Sequence, residues 1–235
     1  MKKMLLILIS ITIANNCFAQ IDVRGGGAAE ALWTQNYNKQ LIEGVEISAI
    51  EGSPYVTEAF LPGKIYSGNK VQNQAILLRY NIYNDLIEVE DPSKGTKGPH
   101  NSVLKSPRIW VEIAGKKYVF MDNFRDEFHT DGSYLILLEE GENYNLYKKH
   151  NATLTEARKA RNTYERDKPA SFSQTTTYYL LDNSSQSFIE VPSRDSKAKK
   201  EMENLKKGSK SFISKNKIDL ENDKGMLSLF NYINN

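Results

Sequence analysis

The clearest folding signal in the chain is the segment of residues 75–90, which reads AILLRYNIYNDLIEVE. Its even positions from 76 to 82 are all apolar or aromatic and alternate with residues that include Arg79 and Asn81. A period of two is typical of a strand with one buried face. Asn84 and Asp85 then favour a turn, after which alternating apolar and acidic residues resume. The segment therefore predicts an antiparallel β-hairpin.

Short apolar runs separated by Gly, Pro, Asn and Asp continue on both sides of this hairpin, which is the pattern of strands joined by turns. They predict three more hairpins, at 109–121, 134–148 and 175–191, and a short edge strand at 102–104. The charged segment 150–173 lacks a clear period and is predicted to be a connection.

After Pro192 the apolar spacing becomes helical, since Met226, Leu229, Phe230 and Ile233 recur three or four residues apart. Ser193 and Asn222 are predicted helix caps. The predicted fold is mainly β with C-terminal α: an antiparallel meander that forms a sandwich or open barrel, with short amphipathic helices packed on it.

This pattern predicts one folded domain with flanking segments. A signal peptide at 1–19 precedes a flexible or partly helical lead-in at 20–44. The antiparallel β domain takes residues 45–192, and the helical segment 193–235 packs against it.

The signal peptide is predicted from three consecutive features. Lys2 and Lys3 precede an apolar run at 4–14, and Ala19 supplies a small residue for cleavage. The apolar run is about half of the ~20 residues that a membrane-spanning helix needs. Lipid attachment at Cys17 is the alternative, but Asn16 stands where a small residue is normally required. The predicted location is the periplasm or cell envelope, with full secretion as the second choice.

Composition narrows the function classes further. The 235 residues are 40% hydrophobic and 26% charged, which fits a globular chain and neither a multispan membrane protein nor a disordered one. Lys and Arg number 31 against 29 Asp and Glu, so the basic excess typical of nucleic-acid binders is missing. Cleavage after Ala19 would remove the single cysteine, and thiol chemistry with it.

Several stretches resemble a family of exported, β-rich proteins of Gram-negative bacteria that has no established activity. They are residues 53–55, 60–66, 77–88 and 212–217, together with Asn231 and Tyr232. The stretch LRYNIY at 78–83 is the most specific part. The resemblance implies an envelope or periplasmic location and transfers no functional residue.

The densest polar cluster lies at 122–132, and its candidate catalytic residues are Asp126, His129 and Asp131. Glu127, His129 and Asp131 are spaced like early ligands of a calcium loop. The closing carboxylate of such a loop would fall at Leu138, with an acid only one position later. Imidazole is also a poor ligand for a hard cation. No metal or cofactor is therefore predicted, and a solvated loop is the simpler interpretation.

Two further patterns carry weaker functional hypotheses. Glu88, Glu112 and Glu139 lie at predicted strand positions and could form a carboxylate pair for glycoside cleavage. The basic residues of 148–168, with Tyr164, could contact anionic lipid, although three acids dilute their charge.

The sequence thus favours an exported noncatalytic protein of the envelope or periplasm that binds a protein partner or a surface ligand. Abundant tyrosines support this hypothesis, since they suit interfaces as well as strands. The alternative is an exported hydrolase that uses carboxylates or a divalent metal near residues 122–131. No nucleic-acid partner is predicted, and membrane contact is the third option.

Overall fold

The structure is a computed structural model that describes residues 34–35, 50–93, 100–162 and 164–235. The predicted signal peptide and, apart from a two-residue strand, the predicted lead-in lie outside these residues. The strands are β1 Thr34–Gln35, β2 Leu61–Ser67, β3 Lys70–Asn81, β4 Leu86–Val89, β5 Asn101–Val103, β6 Ile109–Ile113, β7 Lys116–Met121, β8 Ser133–Glu139, β9 Tyr144–Thr155, β10 Ser171–Asp182 and β11 Phe188–Val191. The helices are α1 Asp195–Leu205, α2 Ser209–Lys215 and α3 Asp223–Asn234.

All strands belong to one antiparallel sheet, in the order β1-β5-β4-β3-β2-β6-β7-β8-β9-β10-β11. The sheet is not closed, and the three short helices pack against it. The predicted mainly β fold with C-terminal helices is therefore confirmed. Within the described residues, no helix is long and apolar enough to cross a membrane.

Strand alternation gives the sheet an inner and an outer face. On the inner face, Ile65, Val111 and Ile136 are buried in one large apolar cluster. This cluster joins strands distant in the sheet order, because the Tyr80 ring of β3 lies edge-on to the Tyr134 ring of β8, with centroids 6.2 Å apart. The sheet therefore curls so that its inner face becomes the core.

The helices cover β9, β10 and β11 beyond that cluster. Met226, Leu229 and Phe230 of α3 pack with Leu146 and Leu180 of the sheet. The Asn222 side chain accepts a hydrogen bond from the Gly225 amide at 2.9 Å, which confirms it as the cap of α3. The predicted Ser193 cap is wrong, because α1 begins after Arg194, which makes no side-chain cap bond.

The long hairpin formed by β9 and β10 was not predicted, because the segment 150–173 was interpreted as a connection between two separate hairpins. β9 and β10 extend into the segment predicted as a connection, and they pair from Tyr144 and Asp182 to Thr155 and Ser171. His150 therefore lies in a strand, where its Nδ1 is 2.9 Å from Thr176 Oγ1. Burial and nearby lysines lower the pKa of His150 to about 4. Both faces of this part of β9 carry polar residues, so no apolar alternation marks the strand.

Candidate functional site

The structure brings two of the three predicted site residues together. Asp126 Oδ1 is 2.8 Å from His129 Nδ1, and it accepts backbone hydrogen bonds from Phe128 at 2.9 Å and His129 at 2.7 Å. Asp131 is exposed, and its carboxylate accepts from the neighbouring Thr130 hydroxyl at 3.3 Å. Within the described residues, no group of three His, Cys, Asp or Glu side chains could hold a metal ion.

The Asp126 carboxylate shapes the loop of residues 122–132 that connects β7 to β8. Burial raises its pKa, but the hydrogen bonds from His129 and the two backbone amides outweigh burial and lower the pKa below its usual value. Gly132 ends the loop at a φ of 85°, where a Cβ would stand 2.7 Å from the Met121 carbonyl oxygen. The polar groups that predicted a site are therefore those that fold this loop.

A second and more deeply buried ionic group lies near the same loop. We call it the Asp85 cluster, and it comprises Asp85, Lys149, Lys105, Tyr80 and Ser133. Asp85 Oδ1 accepts hydrogen bonds from Lys149 Nζ at 2.8 Å, from the Tyr80 hydroxyl at 2.6 Å and from the Ser133 hydroxyl at 2.8 Å. Its Oδ2 is 2.8 Å from Lys105 Nζ. The Lys149 side chain is 0% exposed, so its charge depends on this carboxylate.

The position of Asp85 follows from the turn between β3 and β4, from the start of β8 and from the middle of β9. Asp85 has a φ of 53°, a left-handed conformation that Asp tolerates better than most residues. The β8–β9 register begins at Ile136 and Lys148, so Tyr134 lies beyond the paired part. The Tyr134 amide donates to Asp85 at 3.2 Å instead. The β3–β4 turn is thereby fixed where β8 and β9 separate.

The neighbouring ammonium groups keep the Asp85 carboxylate ionised, although burial lowers the pKa of Lys149 itself. Burial raises the pKa of Asp85, but the ammonium groups of Lys149 and Lys105 outweigh burial and lower it to about 2. Burial and the adjacent Asp85 carboxylate raise the pKa of Tyr80 well above its usual value, so its phenol keeps the proton that it donates. Asp85 is thus bonded to each of the other four side chains, and the cluster holds the β3–β4 turn against β8 and β9.

The three strand carboxylates considered for glycoside cleavage do not share one environment. Glu88 is paired with Arg79 at 2.6 Å, and Glu112 with Lys64 at 3.2 Å. Glu139 is exposed at the end of β8. The Arg79 guanidinium carbon also lies 3.8 Å from the Tyr55 ring centroid, so Glu88 belongs to a structural ion pair.

The outer face of the sheet carries a partly exposed feature that sequence reasoning missed. We call it the aromatic strip. The Tyr66 and Trp110 rings stack with centroids 3.7 Å apart and an interplanar angle of 3°. Lys117 Nζ lies 5.1 Å from the Trp110 ring centroid, and Trp110 Nε1 donates to the Gly68 carbonyl at 2.8 Å. The strip consists of Val71, Tyr66, Trp110, Lys117, Val119 and Leu137, which the strand registers place on one face.

One end of the strip forms the wall of a shallow depression of about 460 Å³. Its lining includes the apolar side chains of Val119, Met121 and Leu137, together with Tyr147. Lys117 and Glu140, 3.5 Å apart, form part of its polar rim. An apolar centre with a charged rim is the arrangement found at protein interfaces.

Comparisons of the chain with protein-family models, curated proteins and solved structures find no match. The resemblance to exported β-rich proteins stays a prediction.

Proposed function

We propose that this chain is an exported noncatalytic protein of the envelope or periplasm, and that it binds a protein partner through the aromatic strip. The observation that carries the proposal is the parallel stack of Tyr66 on Trp110 on the outer face of the sheet. From this stack the strip continues past Lys117 to the depression, which Val119 and Leu137 line.

The chemistry of the strip favours a protein over a small molecule. Trp, Tyr and Met are enriched at protein interfaces, and buried aromatic residues often supply most of the binding energy. The depression is shallow, whereas small-molecule sites are usually concave and enclose most of the ligand. The Lys117–Glu140 pair offers both signs of charge at the rim, which would orient a partner rather than attract any charged molecule.

The arrangement of the other polar groups supports a noncatalytic role. Lys149 and Asp85 neutralise each other, and Asp126 binds its own loop and His129. A general acid or base must reach a substrate proton, and these groups point at protein donors and acceptors.

One observation favours the alternative, a hydrolase near residues 122–131. The second carboxylate oxygen of Asp126, Oδ2, is buried and has no hydrogen-bond partner within the part of the chain that the structure describes. Replacing Asp126, His129 and Asp131 together with alanine tests this alternative. We expect the triple variant to complement a knockout as well as the parent does. Loss of complementation by a folded triple variant would favour the hydrolase.

The binding proposal is tested with two lysines that are neighbours in β7. Lys116 and Lys117 follow each other in an extended strand, so their side chains leave opposite faces of the sheet. Partners are crosslinked in intact cells, purified with the tagged protein and identified. We expect Lys117→Glu to lower recovery of a stoichiometric partner at least about tenfold, and Lys116→Glu to leave it unchanged, because only Lys117 belongs to the strip. Equal recovery with both variants would contradict the proposal.

A further inference from the structure

The tip of the β9–β10 hairpin is a separate exposed surface. The two strands pair over twelve residues each, a length of about 40 Å. The helices pack near one end of this hairpin, where Lys148 Nζ is 2.8 Å from Asp223 Oδ1. The connecting residues 156–170 form the opposite end, which we call the hairpin tip. Its described residues are exposed except for the half-buried Ala160 and Ala170.

The hairpin tip has a defined conformation that its own polar groups hold. Arg158 and Lys168 exchange two backbone hydrogen bonds of 2.8 Å each. The Asp167 carboxylate accepts from the Ala160 amide at 2.7 Å, and the Asn162 side chain accepts from the Tyr164 amide at 3.0 Å. Glu165 accepts from the Arg161 amide at 3.3 Å and lies 3.8 Å from the Arg158 guanidinium. The acidic side chains of Asp167 and Glu165 therefore stabilise the conformation of the tip.

The cations of the hairpin tip face solvent instead. Lys159, Arg161, Arg166 and Lys168 are exposed, and none of the four forms an ion pair within the described residues. Tyr164 lies among them and is 99% exposed. A surface with four exposed cations and one fully exposed tyrosine differs from the aromatic strip, where the rings stack on each other.

We propose that the hairpin tip docks on an anionic lipid surface. Each Lys or Arg close to such a surface contributes favourable electrostatic energy, and Tyr prefers the level of the lipid headgroups. A specific protein interface takes about 20–30 residues on each side, which is more than the tip presents. The charge and the ring together fit a membrane surface better than a single protein pocket. This inference is independent of the aromatic strip.

The test is flotation of the purified exported protein with phosphatidylglycerol-containing vesicles and with pure phosphatidylcholine vesicles. We expect flotation only with the anionic vesicles, and we expect salt to weaken it. Replacing Lys159, Arg161 and Arg166 with glutamate should weaken partitioning at least roughly tenfold. Tyr164→Ala should weaken it by about threefold while leaving the salt dependence in place.

The matched control replaces Lys200, Lys215 and Lys224 with glutamate, which makes the same change in net charge on the helices. These three lysines are exposed. We expect the control variant to float like the parent. Absence of flotation, equal flotation with neutral vesicles, or equal loss in the tip and control variants would each overturn the proposal. If the tip binds an acidic protein instead of lipid, we expect no flotation with either kind of vesicle.

Discussion

The outer face of the sheet has a covered half, where the loop 122–132 packs over Leu135 of β8 and Tyr179 of β10, and an open half, the aromatic strip that begins on β2, β6 and β7. In the covered half, Leu135 is fully buried and Phe124 of the loop 122–132 packs edge-on against Tyr179, with ring centroids 4.9 Å apart. In the open half, the Tyr66–Trp110 stack is half-exposed and Val71 is 40% exposed. Similar side chains therefore occupy both halves, and they are exposed where the loop 122–132 does not cover them.

This difference separates stability from binding. Truncation in the covered half leaves a cavity, and truncation of Asp85 in the neighbouring Asp85 cluster leaves an unpaired buried charge; both destabilise the fold. Truncation in the open half removes contact area that a partner could use and costs the fold little. Substitutions in the covered half should thus lower stability, whereas substitutions in the open half should lower partner recovery and leave stability almost unchanged.

The largest expected effect is that of Asp85→Ala, which leaves Lys149 buried without its carboxylate. We expect a loss of about 3–5 kcal/mol in the free energy of unfolding, measured by denaturant titration. Asp131→Ala is the control, because Asp131 is exposed and should change stability by less than about 0.5 kcal/mol. Similar small changes for both variants would show that the Asp85 cluster does not hold the fold.

The second-largest loss in the free energy of unfolding is expected for Phe124→Ala. The ring is fully buried against Tyr179 and Phe188, and its removal should cost about 3 kcal/mol of unfolding free energy. Phe128 lies in the same loop but is 46% exposed, so Phe128→Ala should cost less than about 1 kcal/mol. Equal losses would mean that the loop does not cover β8–β10 through Phe124.

Acid should reveal the contribution of Asp85 in a third measurement. Its pKa is lowered from 3.8 to about 2, so its stabilising effect is complete above about pH 4 and is lost as the pH falls toward 2. The shift corresponds to about 2 kcal/mol. We expect the parent protein to lose that much more stability than Asp85→Asn between pH 5 and pH 2, roughly the interval over which this linkage acts. Parallel pH curves would contradict the lowered pKa.

The smallest effect on stability is expected for Trp110→Ala in the open half. A cross-strand aromatic pair contributes about 0.2–1 kcal/mol, so the unfolding free energy should fall by less than about 1 kcal/mol. The same variant should lose the partner captured by crosslinking. A folded Trp110→Ala protein that keeps its partner would break the proposed division between the two halves.

Sequence analysis predicted the features that depend on residues close together along the chain. The 75–90 hairpin and the α3 cap at Asn222 are encoded by alternation and by turn and cap residues within a few positions. The Asp126–His129 pair, three residues apart, was also within reach of sequence reasoning. In each case the interacting groups are close along the chain.

The Asp85 cluster could not be predicted in this way. Asp85 meets Lys105, Ser133 and Lys149 across 20, 48 and 64 residues, and each of these contacts depends on how the sheet curls. Asp85 in a turn indicates a solvated carboxylate, and Lys149 in a charged segment indicates a solvated ammonium. The aromatic strip was missed for a related reason, because Trp110 has the spacing of any outward-facing strand residue. Only the register with Tyr66 shows the stack.

The most direct test of the binding role of the open half is site-specific photo-crosslinking in intact cells. In one strain a photoreactive residue replaces Glu140, on the rim of the depression at one end of the strip. In a second strain it replaces Leu104, which is 37% exposed and lies outside the strip. We predict one reproducible crosslinked protein from position 140, lost when Trp110→Ala is added, and none from position 104. Crosslinks from both positions, or from position 104 alone, would contradict the assignment of the aromatic strip as the binding surface.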